Sequence, residues 1–254
     1  SLSSVCSVSV GAATVEEGRV EKFSQEFRAE FPIATNIDWL IGGFYTDEEV
    51  NLSVDTRAYD VSGASRGSLN RFVFEPNSFR ELAGFTNVTI DLTDMWDIQL
   101  GGRYSDQRAV YSQIQSGALI GASPIVKQPV SSSGDAFTYL ATTRLKPNDN
   151  LMLYLRFASG YRPGGSNILC RAAGVPCSYD PDTTRNYDLG IKASTLDGVL
   201  RFDIAAYYID WRDLQLTGIQ VAGSTNTYIG NASRAESQGI EASVDFRPTP
   251  GFTV

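Results

Sequence analysis

The sequence has no histidine, and it contains only three cysteines and two methionines among its 254 residues. Without histidine, a Ser-His-Asp triad, a Cys-His nucleophile and every histidine-containing metal site are excluded. Two thiols, Cys170 and Cys177, make a poor zinc site when no histidine lies near them in sequence. We therefore expect no catalytic set, no metal site and no cofactor, and we interpret the protein as a non-enzyme.

A positively charged face and a long hydrophobic run are also missing. Lys and Arg total 21 against 29 Asp and Glu, so the formal net charge is −8 and no basic stripe is available to bind nucleic acid. No run of about 18 apolar residues occurs, which excludes a transmembrane helix. A transmembrane β-strand remains open, because it needs only about 9–11 residues with apolar side chains at alternate positions.

Alternating apolar and polar residues fill much of the chain. In the segment 186–214 the turn signal Asp197-Gly198 places Ile191 opposite Ile204 on an apolar face. On the other face it places Lys192 opposite Asp203. Similar segments recur, and they predict an all-β protein of about ten strands in five hairpins.

The connections between these strands alternate in length. Short turns are predicted at roughly positions 34, 94, 148, 197 and 249, and long connections at roughly 48–83, 106–135, 160–183 and 213–232. This alternation favours a partial antiparallel up-and-down outer-membrane β-barrel, with short periplasmic turns, long extracellular loops and an apolar face toward outer-membrane lipid. Tyrosines near the long-connection ends and Trp96 near a short turn are typical of aromatic girdles. The alternative is a soluble β-sandwich carbohydrate-binding module, in which the apolar faces form an internal core.

Arginine and tyrosine supply the binding chemistry of the long connections and the upper lumen. Together they suit capture of anionic or aromatic chelates, through charge-assisted hydrogen bonds and stacking. The residues predicted to bind ligand are Arg57, Tyr59, Arg66, Arg71, Arg103, Arg156, Tyr161, Arg162, Arg171 and Tyr179. Arg103 and Arg156 are expected to project into the lumen.

The segment "CRAAGVPC" has a cysteine at each end. A local disulfide between Cys170 and Cys177 is predicted to close a surface loop in an oxidising compartment. Cys6 is left over by this pairing.

Several segments in order resemble the barrel of TonB-dependent outer-membrane receptors: "GGFYTDEE", "LTDMWDIQLGGRYSD", "LRFASGYRPGGSN", "NYDLGIKASTLDGVLRFDIAAYYIDWRDLQL" and "RAESQGIEASVDFRPTPGFTV". The resemblance implies that 22–254 form part of such a barrel in a Gram-negative outer membrane, and that 1–21 are a lead-in segment or loop. It also implies uptake of a scarce ligand, most often a ferric siderophore. A TonB-type partner would supply the energy through a plug segment that this sequence lacks, as it lacks the first and last strands. A passive porin-like barrel is the alternative within membrane proteins.

Overall fold

The computed structural model describes residues 11–167, 169–170, 172, 174–195, 198–224, 226–247, 249 and 251. Over this part of the chain, antiparallel β-strands dominate. In chain order the strands are β1 (Gly11–Ala34), β2 (Ile37–Tyr59), β3 (Ser65–Phe74), β4 (Ser78–Thr93), β5 (Trp96–Ser116), β6 (Ile125–Asn148), β7 (Leu151–Arg162), β8 (Gly165–Ser166), β9 (Ser178–Tyr179), β10 (Asp182–Thr195), β11 (Leu200–Arg212), β12 (Gln215–Gln220), β13 (Thr227–Asn231) and β14 (Arg234–Phe246). A search of the described residues finds no helix with the length and apolarity that crossing a membrane requires.

One ten-stranded sheet forms the wall of a partial barrel. Strands β1, β2, β4, β5, β6, β7, β10, β11 and β14 follow one another as antiparallel neighbours. Strand β3 joins the sheet only at the loop end, between the last residues of β2 and of β5. Two small sheets, β8–β9 and β12–β13, lie in the connections at the same end.

The wall has one apolar and one polar face, as the sequence predicts. Ile191 pairs with Leu153 on β7 and with Ile204 on β11, which is the predicted register of the 186–214 hairpin. The apolar face has no second layer over it within the described ranges, and Phe27 is 70% exposed and Ile240 75% exposed. A β-sandwich would need a second sheet at this position, so the observed architecture is the predicted partial barrel.

Aromatic rings bound the apolar face at two heights. Near the loop end, rings on β6, β7, β10 and β11 form a continuous row with neighbouring centroids 4.8 to 6.4 Å apart: Phe137, Tyr139, Phe157, Tyr187 and Tyr208. Near the short turns, the indole nitrogens of Trp39 and Trp96 each donate a 2.7 Å hydrogen bond to a threonine hydroxyl on a neighbouring strand. The six-residue rise from Trp39 to Tyr45 on β2 corresponds to about 20 Å. This is close to the ~25 Å apolar band of outer-membrane barrels.

The predicted long connections differ most from the structure. Strand β2 continues to Tyr59, β5 continues to Ser116 and β6 begins at Ile125, so most of 48–83 and 106–135 is strand. These extensions rise above the apolar band, and the side that is apolar lower in the wall is mostly polar there, so the pattern that marks a wall strand ends while the backbone pairing continues. Residues 11–21 were predicted to belong to a lead-in segment or loop. In the structure they form the first half of β1 and pair with β2.

Candidate functional site

The candidate site lies on the lumen face at the loop end of the wall. There the β7–β10 connection and the β12–β13 hairpin pack against the upper parts of β4, β5 and β6 and enclose a cavity of about 590 Å³. A smaller cavity of about 240 Å³ shares Phe79, Gly164, Gly165 and Tyr179 with it. We call the two together the mouth cavity. Their combined size suits a small-molecule ligand, since ligand pockets typically hold about 300–1,000 Å³.

Aromatic side chains line the mouth cavity. Tyr111 extends from β5, Tyr179 from β9, Tyr228 from β13 and Phe79 from β4. Burial raises the pKa of Tyr111, and burial likewise raises the pKa of Tyr179 against an opposing effect of Arg162. Both phenols therefore stay protonated at neutral pH, so they offer flat rings for stacking and hydroxyl groups for hydrogen bonds.

Two buried polar atoms on the cavity lining lack a hydrogen-bond partner within the described structure. They are the Ser166 hydroxyl oxygen, at the larger cavity, and the Gln107 side-chain oxygen, at the smaller one. The other end of the Gln107 amide donates a 2.6 Å hydrogen bond to the Tyr161 hydroxyl, which fixes its orientation. Because unpaired buried polar groups are costly, these two atoms are positions where a ligand could form a hydrogen bond.

The two loops over the cavity are joined by a set of side-chain hydrogen bonds that we call the loop clasp. Asn167 in the β7–β10 connection both donates to and accepts from the backbone of Ile229 in β13, at 2.8 Å each. Asn231 forms a second such pair with the backbone of Asp180, at 2.8 and 2.9 Å. Gln215 adds a 2.8 Å hydrogen bond to the Pro163 carbonyl. The two loops are therefore held as one unit above the cavity.

A buried carboxylate anchors the base of the loop clasp. Asp182 is 1% exposed, forms an ion pair with Arg162 and accepts a 3.1 Å hydrogen bond from the backbone amide of Gln215. The Arg162 guanidinium also lies 5.5 Å from the Trp211 ring centroid and donates to the Gln215 carbonyl at 3.2 Å. Arg162, a predicted ligand-binding residue, thus connects β7, β10, β11 and β12.

Four predicted residues in the β2–β3 hairpin do not line the mouth cavity. Arg57 forms a 2.7 Å ion pair with Asp55, Arg66 forms a 2.8 Å ion pair with Asp60, and Arg71 donates to the Ser53 hydroxyl at 3.2 Å. Strand alternation along β2 puts Arg57 and Tyr59 on the same side as Trp39 and Tyr45, which is the apolar side lower in the wall.

Arg103 and Arg156 lie on the lumen face, below the mouth cavity. The Arg103 guanidinium pairs with Glu81 at 2.7 Å and lies 5.0 and 5.9 Å from the Phe44 and Phe85 ring centroids. Arg156 is exposed, and among the described residues it has no ion pair within 4.0 Å.

The remaining predicted residues lie in or next to the β7–β10 connection. Tyr179 lines the mouth cavity, and Tyr161 adjoins it through Gln107. Arg171 lies outside the described residues. The Cys177 sulfur is 3.4 Å from the Cys170 carbonyl oxygen, and the disulfide between these residues remains a prediction.

Tyr111, Tyr228, Gln107 and Ser166 were not predicted from the sequence. Tyrosine is a residue type that the sequence already singles out for ligand binding, but only the fold shows which tyrosines lie together at the cavity. A search of the described chain finds no group of three or more His, Cys, Asp or Glu residues placed to hold a metal ion.

Comparisons with known proteins give a consistent result. The family model described as "TonB dependent receptor-like, beta-barrel" matches residues 9–254. The pesticin receptor of Yersinia enterocolitica is 30% identical over 172 residues, covering 68% of this chain and 24% of the receptor. The ferripyoverdine receptor of Pseudomonas aeruginosa is 25% identical over 206 residues, covering 77% and 22%. The solved structure of the ferric yersiniabactin uptake receptor from Yersinia pestis superimposes with a TM-score of 0.72 at 22% identity, covering 96% of this chain and 35% of that one.

Proposed function

Since the chain belongs to the TonB-dependent receptor β-barrel family, we propose that it forms part of the wall and extracellular mouth of a Gram-negative outer-membrane receptor that takes up a siderophore-like ferric chelate. The observation that carries this proposal is the combination of a girdled apolar face, a polar lumen face and an aromatic cavity at the loop end. A TonB-type partner acting through a plug segment would supply the energy for uptake. Outer-membrane lipid would cover the apolar face.

The names of the relatives support the ligand class. One is named for ferripyoverdine and another for ferric yersiniabactin uptake, and both names describe iron chelates. The chain spans about a quarter of the length of the curated relatives it matches. The activity of the whole receptor is therefore part of the proposal.

The described residues suit binding and passage without catalysis. The wall holds the lumen face rigid through long runs of antiparallel backbone pairing, whereas the loop clasp is built from side-chain hydrogen bonds that can rearrange. A chelate would enter at the mouth cavity and then meet the polar lumen face around Arg103 and Arg156. Binding, and not a chemical step, is the role of this segment.

Uptake of radioactive iron tests the proposal. The gene that carries this sequence is expressed in a Gram-negative host whose own ferric-chelate receptors have been deleted, with any flanking segments kept in place. We expect uptake of at least one ferric chelate, with loss of uptake when the TonB-type partner is deleted. Uptake that does not depend on that partner would indicate a passive porin-like barrel. Absence of both binding and uptake for every chelate class would overturn the function.

A further inference from the structure

Several arginines at the loop end and on the lumen face are paired with carboxylates within the protein. Four of the predicted ligand-binding arginines each have a carboxylate within 3.0 Å: Arg57 with Asp55, Arg66 with Asp60, Arg103 with Glu81 and Arg162 with Asp182. The side chains of Asp55 and Asp182 are more than nine-tenths buried, and those of Asp60 and Glu81 are 10% and 14% exposed, so these ion pairs are built into the fold. An arginine held in this way has little positive charge left for a ligand.

The mouth cavity itself carries almost no charge. Among its described lining residues there is no lysine or arginine. The carboxylate of Glu48, at the rim of the larger cavity, is paired with Lys22 at 2.9 Å, and Asp180 borders the smaller cavity. A multiply negative ligand would lose water here without gaining a cation, which is unfavourable.

The lining offers other interactions in place of charge. Tyr111, Tyr179, Tyr228 and Phe79 present aromatic rings, and the buried oxygens of Ser166 and Gln107 have unused hydrogen-bonding capacity. Glycines 164, 165 and 218 also lie on the cavity lining, and of these Gly218 is exposed. Rings with a few fixed polar atoms favour an aromatic ligand of low charge.

We propose that the mouth cavity selects aromatic ferric chelates of low net charge and discriminates against multiply anionic ones. The selection acts through stacking on the cavity tyrosines, through hydrogen bonds to Ser166 and Gln107, and through the lack of a cation among the described lining residues. This inference rests on the proposed function, because it specifies which siderophore-like chelates the receptor takes.

Three ferric chelates separate charge from aromaticity: a phenolate–thiazoline chelate of low charge, a tris-catecholate trianion and an uncharged tris-hydroxamate without rings. Binding is measured by quenching of intrinsic fluorescence in outer-membrane vesicles that contain the protein expressed from its own gene. We expect the phenolate–thiazoline chelate to bind at least tenfold more tightly than the trianion. The ring-free hydroxamate should also bind more weakly than the phenolate–thiazoline chelate.

Variants assign the selection to this cavity. Tyr179→Ala should weaken binding of the phenolate–thiazoline chelate about tenfold, whereas Tyr179→Phe keeps the ring and should change it less than threefold. Thr217 lines the cavity and is exposed, so Thr217→Arg adds a cation with little effect on folding. Thr217→Arg should improve binding of the trianion severalfold, and the uncharged control Thr217→Gln should not.

The outcomes distinguish this inference from the function on which it rests. If the trianion binds most tightly to the unchanged protein, or if Tyr179→Ala does not weaken binding of the phenolate–thiazoline chelate and Thr217→Arg does not improve binding of the trianion, the inference is wrong while uptake of a ferric chelate stands. If none of the three chelates binds or is taken up, both fail. Heat-dependent gel mobility of every variant checks that a loss of binding is not a loss of folding.

Discussion

Asp60 organises the tip of the β2–β3 hairpin. Its carboxylate accepts hydrogen bonds from the Ser62 hydroxyl at 2.6 Å, the Ser62 amide at 2.9 Å and the Ala64 amide at 3.0 Å. It also pairs with Arg66 at 2.8 Å. The Ser62 hydroxyl, followed by the Ala64 amide, lowers the pKa of the Asp60 carboxyl below its ordinary value. The order of this turn therefore depends on the ionised carboxylate.

The pH dependence of this turn can be derived from the direction of that shift. Because the folded-state pKa is lowered, the stabilisation is complete above the ordinary carboxyl pKa of about 3.9 and is lost as the pH falls through the folded value. We expect the amides of 61–66 to exchange faster in Asp60→Ala than in the unchanged protein at pH 7, and the difference to shrink below about pH 4. Hydrogen exchange measured by mass spectrometry at several pH values checks this. A difference that grows with acidification would contradict it.

Gly42 shows how closely side chains pack on the lumen face of β2. A Cβ atom at this position would overlap the Phe85 ring and lie 2.7 Å from the Phe27 carbonyl oxygen. At the neighbouring Gly43, which faces the other side of the wall, a Cβ atom would have only an ordinary 3.9 Å contact with the Ala83 carbonyl oxygen.

Alanine at these two adjacent glycines should have opposite consequences. Gly42→Ala should destabilise the protein by about 1–3 kcal/mol through overpacking. Gly43→Ala should be neutral or stabilising by up to about 1 kcal/mol, because alanine restricts the unfolded chain. Denaturant unfolding in detergent micelles, followed by tryptophan fluorescence, measures both free energies of unfolding. Equal effects of the two substitutions would show that the packing around Phe85 does not limit this site.

At the scale of strands, the sequence predicts the part of each element that crosses the apolar band. There the two faces differ sharply, and a shift by one residue would exchange them, so Lys192 opposite Asp203 could be predicted and is observed. The upper halves of β2, β5 and β6 were not predicted, because the side that is apolar lower in the wall carries polar residues there, such as Ser53 on β2 and Arg108 on β5. Strand β3 was missed for the same reason.

A charge placed on each face of the wall tests which face meets lipid. Ile204→Arg puts a guanidinium on the apolar face of β11 and should cost about 2–4 kcal/mol near the middle of the bilayer. Gln99→Arg puts the same group on the lumen face of β5 and should change the free energy of unfolding by less than about 1 kcal/mol. Both are measured by denaturant unfolding in lipid vesicles. A lumen substitution as costly as the lipid-face one would contradict the assignment of the faces.

At the scale of the whole molecule, the mouth cavity is the feature that could not be predicted from the sequence. Tyr111, Tyr179 and Tyr228 come from three separate strands, and two of these strands are short elements held by the loop clasp. Arginine and tyrosine frequency pointed to the loop end of the barrel, where the mouth cavity lies, but it gave equal weight to Arg57 and Tyr179. Only the packing of the loops separates them, because it pairs Arg57 with Asp55 and puts Tyr179 at the cavity.

The uncovered apolar face also determines how the chain behaves in solution. Soluble monomers rarely expose contiguous apolar patches larger than a few hundred Å². We expect strand structure and a monodisperse particle in detergent micelles, and aggregation when detergent is omitted, as followed by circular dichroism and light scattering. A soluble, cooperatively folding monomer in plain buffer would require the apolar face to be buried internally, against the lipid-facing assignment.

Strands that are neighbours in the wall are mostly neighbours in the sequence, which favours fast folding of the wall. Four pairs of wall strands are joined by only two to four residues at the ends away from the mouth: β1 with β2, β4 with β5, β6 with β7 and β10 with β11. Contacts between segments that are near in sequence form fast, and an isolated hairpin closes in about 1–10 μs. The wall can therefore grow one hairpin at a time. The loop clasp, whose Asn167 and Ile229 are 62 positions apart, should be among the last contacts to form.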